Sequence, residues 1–315
     1  MAENDVEALG LGKTYAGGVE AVKPLEFTVP RGEVFGLLGP NGAGKSTTIG
    51  MLTTTIRPTT GTARLAGHDI VADARAARAV SSVVFQEAVV DRALSGRRNL
   101  ELHARLWRVE PLIARRRIDE LSMSLGLSGL LDRPVAGYSG GERRRLEIAR
   151  ALVSEPRVLF LDEPTVGLDP LIRAELLDVL EGLRAQSDVT IVLTTHYLEE
   201  AERLCDRLAV IHRGEIVALE TPAALLATLG REILELRVDG SAEHALASLR
   251  SHGIVDGDGF AVGSTLTLAL HDRTPADALA AIGRTGLATR SISTRRPTLD
   301  DVYLRLTGGR LAEAA

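Results

Sequence analysis

The chain has 315 residues, 45% hydrophobic and 25% charged, which is enough apolar content for one large core or two domains and excludes a disordered or fibrous protein. A formal net charge of −5 argues against a nucleic-acid-binding surface as its main business. No apolar run reaches the roughly 20 residues that cross a bilayer, and the acidic start MAENDVEALG lacks the basic and apolar regions of a signal peptide, so a cytoplasmic chain is expected.

The first informative stretch in chain order is GLLGPNGAGKSTT, residues 36–48, which follows the strand-like EVFGLL and precedes the helix-like STTIGMLTTT. Gly39, Pro40, Asn41, Gly42, Ala43, Gly44, Lys45 and Ser46 fit the eight-position phosphate loop, in the strand-to-helix context that this loop requires. Glycines let successive N–H groups curl around phosphate oxygens, and a helix starting near Lys45 aims its positive dipole end at them. Lys45 would reach the β- and γ-phosphates, and the Ser46 hydroxyl would ligate Mg²⁺. The plain alternative is an incidental glycine-rich turn. Lysine usage argues against it: the only lysines are Lys13, Lys23 and Lys45, with arginine elsewhere, and a compact point charge suits a phosphate cradle.

The next strand is SSVVFQ. Between about 92 and 131 the strand pattern stops and arginine-rich helical periodicity predicts a helical subdomain, about 90–150. The arginine clusters at 115–117 and 143–145 read as solvated helix faces. RVLFLDEP then places Asp162 at the end of an apolar strand with Glu163 beside it. As pleat neighbours the two carboxylates point opposite ways, Asp162 to Mg²⁺, often through water, and Glu163 to an attacking water. Water as acceptor means hydrolysis; the plain alternative is a pair of solvated acids at a strand-end turn. TIVLTTH and RLAVIHRG extend an alternation of strands and helices to about residue 220, which reads as an α/β domain with a largely parallel sheet. The single cysteine, Cys205, falls in the amphipathic EEAERLCDRL and reads as a buried thiol. From residue 231 onward the pattern predicts strand 233–238, helix 242–250, strands GFAV and TLTLAL, helix 275–282, strand LATRSIS and a helix beginning at Thr298, the order of a small split-βαβ sandwich.

YSGGERRRLEIARALVSEP, residues 138–156, resembles the signature motif of ATP-binding cassette (ABC) ATPases, and the resemblance covers about residues 5–220. It implies an α/β P-loop NTPase cassette over 1–225, with a mostly parallel core sheet, an antiparallel β part and a helical subdomain. A small α+β C-terminal domain at 230–308 and a tail at 309–315 follow. Carried over residue by residue, Tyr15 in KTYAGG would stack on adenine, a role that a lone surface tyrosine can mimic, and the loop from Gly39 through Thr47 would bind ATP. Gln86 would contact Mg²⁺ and the attacking water, giving Ser46, Gln86 and Asp162 as the metal set and Glu163, His196 and Gln86 as the catalytic set. His196, after an apolar strand, would be the switch to the γ-phosphate, and Asp169 in GLDP would lie in the loop that crosses between cassettes. Ser139, Gly140 and Gly141 would grip the γ-phosphate across that interface, with Glu142 beside them in the ATP-binding set. Glu142 departs from the usual glutamine, and an ionised carboxylate cannot donate a hydrogen bond, which bears on a ribose contact.

With one P-loop and one signature, the resemblance implies two cassettes around two ATPs, as a homodimer or with a relative. Three stretches resemble drug-export ATPases of the daunorubicin-resistance type, whose membrane subunits are separate proteins: FQEAVVDRALSGRRNLELHARLW, YSGGERRRLEIA and RRPTLDDVYLRLTG. The first would form the groove for a helix of the membrane partner. The last also reads as a packing helix with Leu299, Val302, Tyr303 and Leu306 as its apolar face. The expected protein is therefore the ATP-hydrolysing subunit of an exporter of drug-like or lipophilic substrates. It would be peripheral to the cytoplasmic face of the membrane, bound to a separate transmembrane permease, and have no nucleic-acid partner. An importer or lipid-handling transporter, or a soluble non-transport ATPase, is the alternative; the soluble relatives usually carry two cassettes per chain or a long coiled coil.

Overall fold

The apolar runs VFGLL, VLFLD and TIVLTT are buried at every residue, the pattern of strands covered on both faces by helices. The computed structural model describes residues 3–87, 89–255, 259–271 and 273–308; the tail at 309–315 lies outside them. The chain divides into two compact units, Met1–Ile216 and Val217–Ala315.

The first unit opens with β1 (Asn4–Thr14), β2 (Glu20–Pro30), β3 (Val34–Leu38), α1 (Lys45–Leu52), β4 (Thr60–Leu65), β5 (His68–Asp69), α2 (Ala74–Ala79) and β6 (Ser81–Val84). It continues through α3 (Gly96–Leu106), α4 (Pro111–Ser124) and α5 (Gly140–Leu152) to β7 (Val158–Asp162), α6 (Pro170–Gln186), β8 (Thr190–Thr195), α7 (Leu198–Leu204), β9 (Arg207–His212) and β10 (Glu215–Glu220), across which the unit boundary falls. The six-stranded sheet has the order β10-β9-β3-β8-β7-β6, with β9, β3, β8, β7 and β6 mutually parallel. This order sets the carboxyl ends of β3, β8 and β7 side by side, Leu38 opposite Thr195 and Asp162 opposite Thr194, so the loops that follow converge where open α/β sheets bind ligands. A four-stranded antiparallel sheet, β2-β1-β4-β5, supplies the antiparallel β part that the family resemblance implies.

The helical subdomain is built from locally encoded helix starts: Ser95 caps α3, Glu110 caps α4 with Pro111 at its first position, and Ser139 caps α5. Arg115 and Arg116 are exposed, as solvated faces should be. Arg144 is not: it is buried, because α5 lies against β6 and α6 and carbonyls from two strand ends converge on its guanidinium. Cys205 is buried at the C-cap of α7, and burial pushes its thiol well above the usual range.

The second unit contains α8 (Pro222–Ala227), β11 (Glu232–Val238), α9 (Ala242–Ser251), β12 (Gly259–Val262), β13 (Thr265–Leu270), α10 (Pro275–Gly283), β14 (Thr289–Arg295) and α11 (Leu299–Thr307). Its sheet order is β12-β13-β11-β14, with β13 antiparallel to both β11 and β12, the arrangement of a split βαβ. Leu234, Leu236, Leu246, Leu249, Leu266, Leu268 and Ile282 form its core. On α11, Leu299, Val302 and Tyr303 are buried as their spacing predicts, but Leu306 is 40% exposed and Leu304 is buried instead. The helix touches both α8 and β12, so cover on two sides spreads its buried residues beyond one stripe. The RRPTLDD stretch folds as a capping box between Thr298 and Asp301, with Arg295 bridging Asp301 and Glu235.

Candidate nucleotide site

The loop between β3 and α1 takes a conformation that its glycines make accessible. Gly42 and Gly44 have φ of +78° and +104°, and a Cβ on Gly44 would lie 2.6 Å from the Ala21 carbonyl oxygen. Gly39 is similarly confined, with a Cβ position 2.4 Å from the Ile211 carbonyl oxygen. Lys45, 4% exposed, donates from Nζ to the Gly39 and Pro40 carbonyls at 2.8 and 3.0 Å, and stands 3.1 Å from Glu163 Oε1. A buried ammonium ringed by backbone and one carboxylate, at the N-terminus of α1, is an anion-binding arrangement.

Asp162, the last residue of β7, accepts at Oδ1 from Ser46 Oγ at 3.2 Å and from Thr194 Oγ1 at 2.5 Å. The hydroxyl and carboxylate oxygens of Ser46 and Asp162 are the hard donors that Mg²⁺ takes when phosphates complete its coordination, so the residues fit this ion. Glu163 is not the pleat neighbour of Asp162. The strand has ended, and Glu163 turns at φ +45°, its N–H donating to Thr194 Oγ1 at 2.9 Å. That left-handed turn, rather than strand alternation, brings its carboxylate back toward Lys45, and His196 Nδ1 lies 3.3 Å from the same Oε1. Tyr15, exposed on the loop after β1, has its hydroxyl 3.4 Å from Thr47 Oγ1, with Lys13 Nζ 5.3 Å from its ring centre.

Lys45, Ser46, Thr47, Asp162, Glu163, His196 and Tyr15 are thus linked in one place. The predicted residues outside the phosphate loop, namely Gln86, Ser139 to Glu142 and Asp169, stand apart from that set. Gln86 is exposed in the segment after β6. Ser139 is the exposed N-cap of α5 and its hydrogen bonds stay in its own turn: Ser139 N donates to Glu142 Oε2 at 2.7 Å, and Glu142 N to Ser139 Oγ at 3.2 Å. Glu142, the departure from the family's glutamine, is the acceptor half of this capping box, where a donor is not needed. Gly141 has a packing reason, since a Cβ there would fall 2.4 Å from Ile172 Cγ2 on α6, and Asp169 caps α6 by accepting from Ile172 N at 3.1 Å.

Four residues at or behind the site escaped the sequence reading. Thr194 joins the Asp162 carboxylate to the Glu163 backbone, and Arg144 with Glu147 joins this turn to the Gln86 segment. Burial pushes the Arg144 guanidinium below its ordinary range, and Glu147 acts against that shift. Glu200, buried behind the site and hydrogen-bonded by Thr165, is pushed up to about 7, chiefly by burial.

The ABC transporter family matches residues 22–166. The chain is 43% identical, over 309 residues, to the daunorubicin/doxorubicin resistance ATP-binding protein DrrA of Streptomyces peucetius, covering 96% of this chain and 92% of that protein. The chain belongs to the ABC transporter family. This ABC ATPase is also 40% identical over 290 residues to the Nod factor export ATP-binding protein I of Burkholderia lata, covering 91% of this chain and 92% of that one. Among solved structures it resembles cbiO1 of Clostridium perfringens, part of the ABC transporter complex cbiONQ, with a TM-score of 0.66 at 28% identity over 71% of this chain and 91% of that chain. It is an ATP-hydrolysing subunit of the exporter type.

Proposed function

We propose that two copies of this chain close around two ATPs and drive efflux of a drug-like or lipophilic compound through a separate membrane subunit. The observation that carries this reading is the joined set of Lys45, Ser46, Asp162, Glu163 and His196 at the ends of β3, β7 and β8, with the signature serine exposed elsewhere at its own helix N-terminus. The relatives' names, daunorubicin/doxorubicin resistance and Nod factor export, support an exported drug-like or lipophilic compound. Among the described residues no helix is long and apolar enough to cross a membrane, in keeping with a peripheral subunit at the cytoplasmic face.

The roles follow from charge and reach. Lys45 exchanges its loop carbonyls and Glu163 for β- and γ-phosphate oxygens. Released from Lys45, the Glu163 carboxylate orients and deprotonates the attacking water, with His196 beside it sensing the γ-phosphate. Mg²⁺, held by Ser46 and Asp162 with Gln86, would supply charge neutralisation on the transferred phosphoryl group. Tyr15 offers its ring to adenine. Ser139, Gly140, Gly141 and Glu142 offer the α5 N-terminus, and Asp169 its loop, to the opposite cassette. We assign this chemistry to residues 1–225 and a dimer-supporting or regulatory role to 230–308, since every proposed ATP-site residue lies in the first segment.

Two variants test the reading through ATP binding, dimer mass and phosphate release. Glu163→Gln should bind ATP, accumulate as a closed dimer and turn over very slowly, because the amide keeps the shape but not the charge that orients water. Ser139→Arg should bind ATP yet fail to close. Near-normal phosphate release by the first removes Glu163 from its role, and ATP-dependent closure of the second removes the shared site.

A further inference from the structure

Arg144, on α5, is 7% exposed and uses every donor it has. Its Nε donates to the Pro164 carbonyl at 2.7 Å, and Nη2 to the carbonyls of Asp162 and Glu163 at 3.1 and 3.3 Å. Its Nη1 donates to the Phe85 carbonyl and, at 3.1 Å, to Glu147 Oε2. A guanidinium carries five N–H groups, and all five are engaged. Glu147, also buried, accepts at its other oxygen from Val89 N at 2.6 Å. The pair therefore pins the Gln86 segment on both sides, at Phe85 and at Val89, while gripping three consecutive carbonyls centred on Glu163. Glu163 has φ +45°, a conformation that a residue with a Cβ keeps only when its surroundings hold it. Thr194 holds the N–H side of this turn, and Arg144 holds the carbonyl side.

We propose that Arg144 is a positioning residue for hydrolysis: it fixes the left-handed turn that aims Glu163 and, through Glu147, makes that aim depend on where the Gln86 segment sits. Because Ser139 caps α5, the same side chain ties the signature helix to the hydrolytic carboxylate of its own chain. Lysine cannot replace it, since one ammonium with three N–H groups cannot span five acceptors fixed in a planar fork. The proposal rests on the reading of Glu163 as the water-orienting residue.

The test uses the full chain with Arg144→Lys, Arg144→Gln, Glu147→Gln, the double variant Arg144→Gln/Glu147→Gln, and Glu163→Gln as control. ATP dissociation constants, kcat, KM and thermal midpoints are measured for each. Both Arg144 variants should lose kcat by about tenfold or more per folded molecule while ATP affinity stays within about twofold, the pattern of an interaction needed for turnover rather than ground-state binding. Glu147→Gln should lose about threefold to tenfold, and the double variant should be no worse than Arg144→Gln, as coupled residues behave. A merely structural role would instead lower the thermal midpoint and lose binding and turnover in step. A kcat within about twofold of the parent in folded Arg144→Lys overturns the proposal, as does a loss confined to KM and affinity. Should both arginine variants fail to fold, Glu147→Gln decides, and a parent-like kcat there overturns it. Parent-like turnover by Glu163→Gln would show that the underlying assignment, rather than Arg144, is at fault.

Discussion

Asp301→Ala should loosen the second unit without touching nucleotide binding. Its carboxylate accepts from Thr298 N and Oγ1 at 2.8 and 2.9 Å and takes a two-pronged pair from Arg295 at 2.6 and 2.7 Å. Burial alone would raise this carboxyl, but the Arg295 pair and the Thr298 bonds outweigh it and hold the group below the usual aspartate range. Its stabilising contribution is therefore fully present above the unfolded-state value and is lost only as pH falls through the depressed folded-state value. Loss of the cap costs about 1 kcal/mol. Loss of the pair costs about 1–2 kcal/mol, less than a fully buried pair, because Arg295 is 35% exposed on its side chain and keeps Glu235 at 2.8 Å. The sum, about 2–3 kcal/mol, corresponds to a drop of about 10–20 °C for a unit of this size. Scanning calorimetry of the full chain should show the transition of this unit moving down while that of the ATP-binding unit and the ATP affinity stay put. Asp301→Asn, which keeps most capping geometry and loses the charge, should fall between parent and Ala. A shift under about 2 °C for Asp301→Ala would refute the reasoning, since the cap alone exceeds that.

Lys45→Ala should weaken ATP binding by about a hundredfold or more, because a buried charge-assisted contact to two phosphates is lost. Unchanged affinity for labelled ATP would sink the phosphate-cradle assignment. His103, buried in α3 and stacked on Trp107, is pushed down to about 4 by burial, with Arg150 adding to the effect. The unfolded chain then binds more protons between about 4 and 6.5, so stability falls as pH drops through that window, by about 3 kcal/mol at its limit. Glu200, raised to about 7, acts in the opposite sense between 4.5 and 7, so the quantity to measure is the difference between parent and His103→Phe in urea midpoints at pH 7 and pH 5. An identical pH slope in the two proteins would rule out the histidine as its source.

What sequence alone determined about this chain is what short-range chemistry encodes. The glycine spacing of residues 39–44 admits one kind of loop, the unbroken apolar runs admit only strands covered on both faces, and Thr298 or Ser139 before an acidic third residue marks a helix start. The parallel strands of the first unit and the elements from β11 to α11 of the second could be read that way, because side-chain period and caps are local. The joining of Ser46 to Asp162, 116 residues apart, was legible only through resemblance to a known motif set. Tertiary structure alone decided the rest. Glu163 looked like a pleat neighbour of Asp162 because nothing in LFLDEP announces a left-handed turn; Thr194 and Arg144, from β8 and α5, hold it there. Arg144 looked like one of three arginines on a solvated face, since charge and helical period are the same for a side chain facing water and for one facing carbonyls. Which of the two it meets depends on distant backbone groups, at residues 85, 162, 163 and 164, that converge only after the sheet has formed.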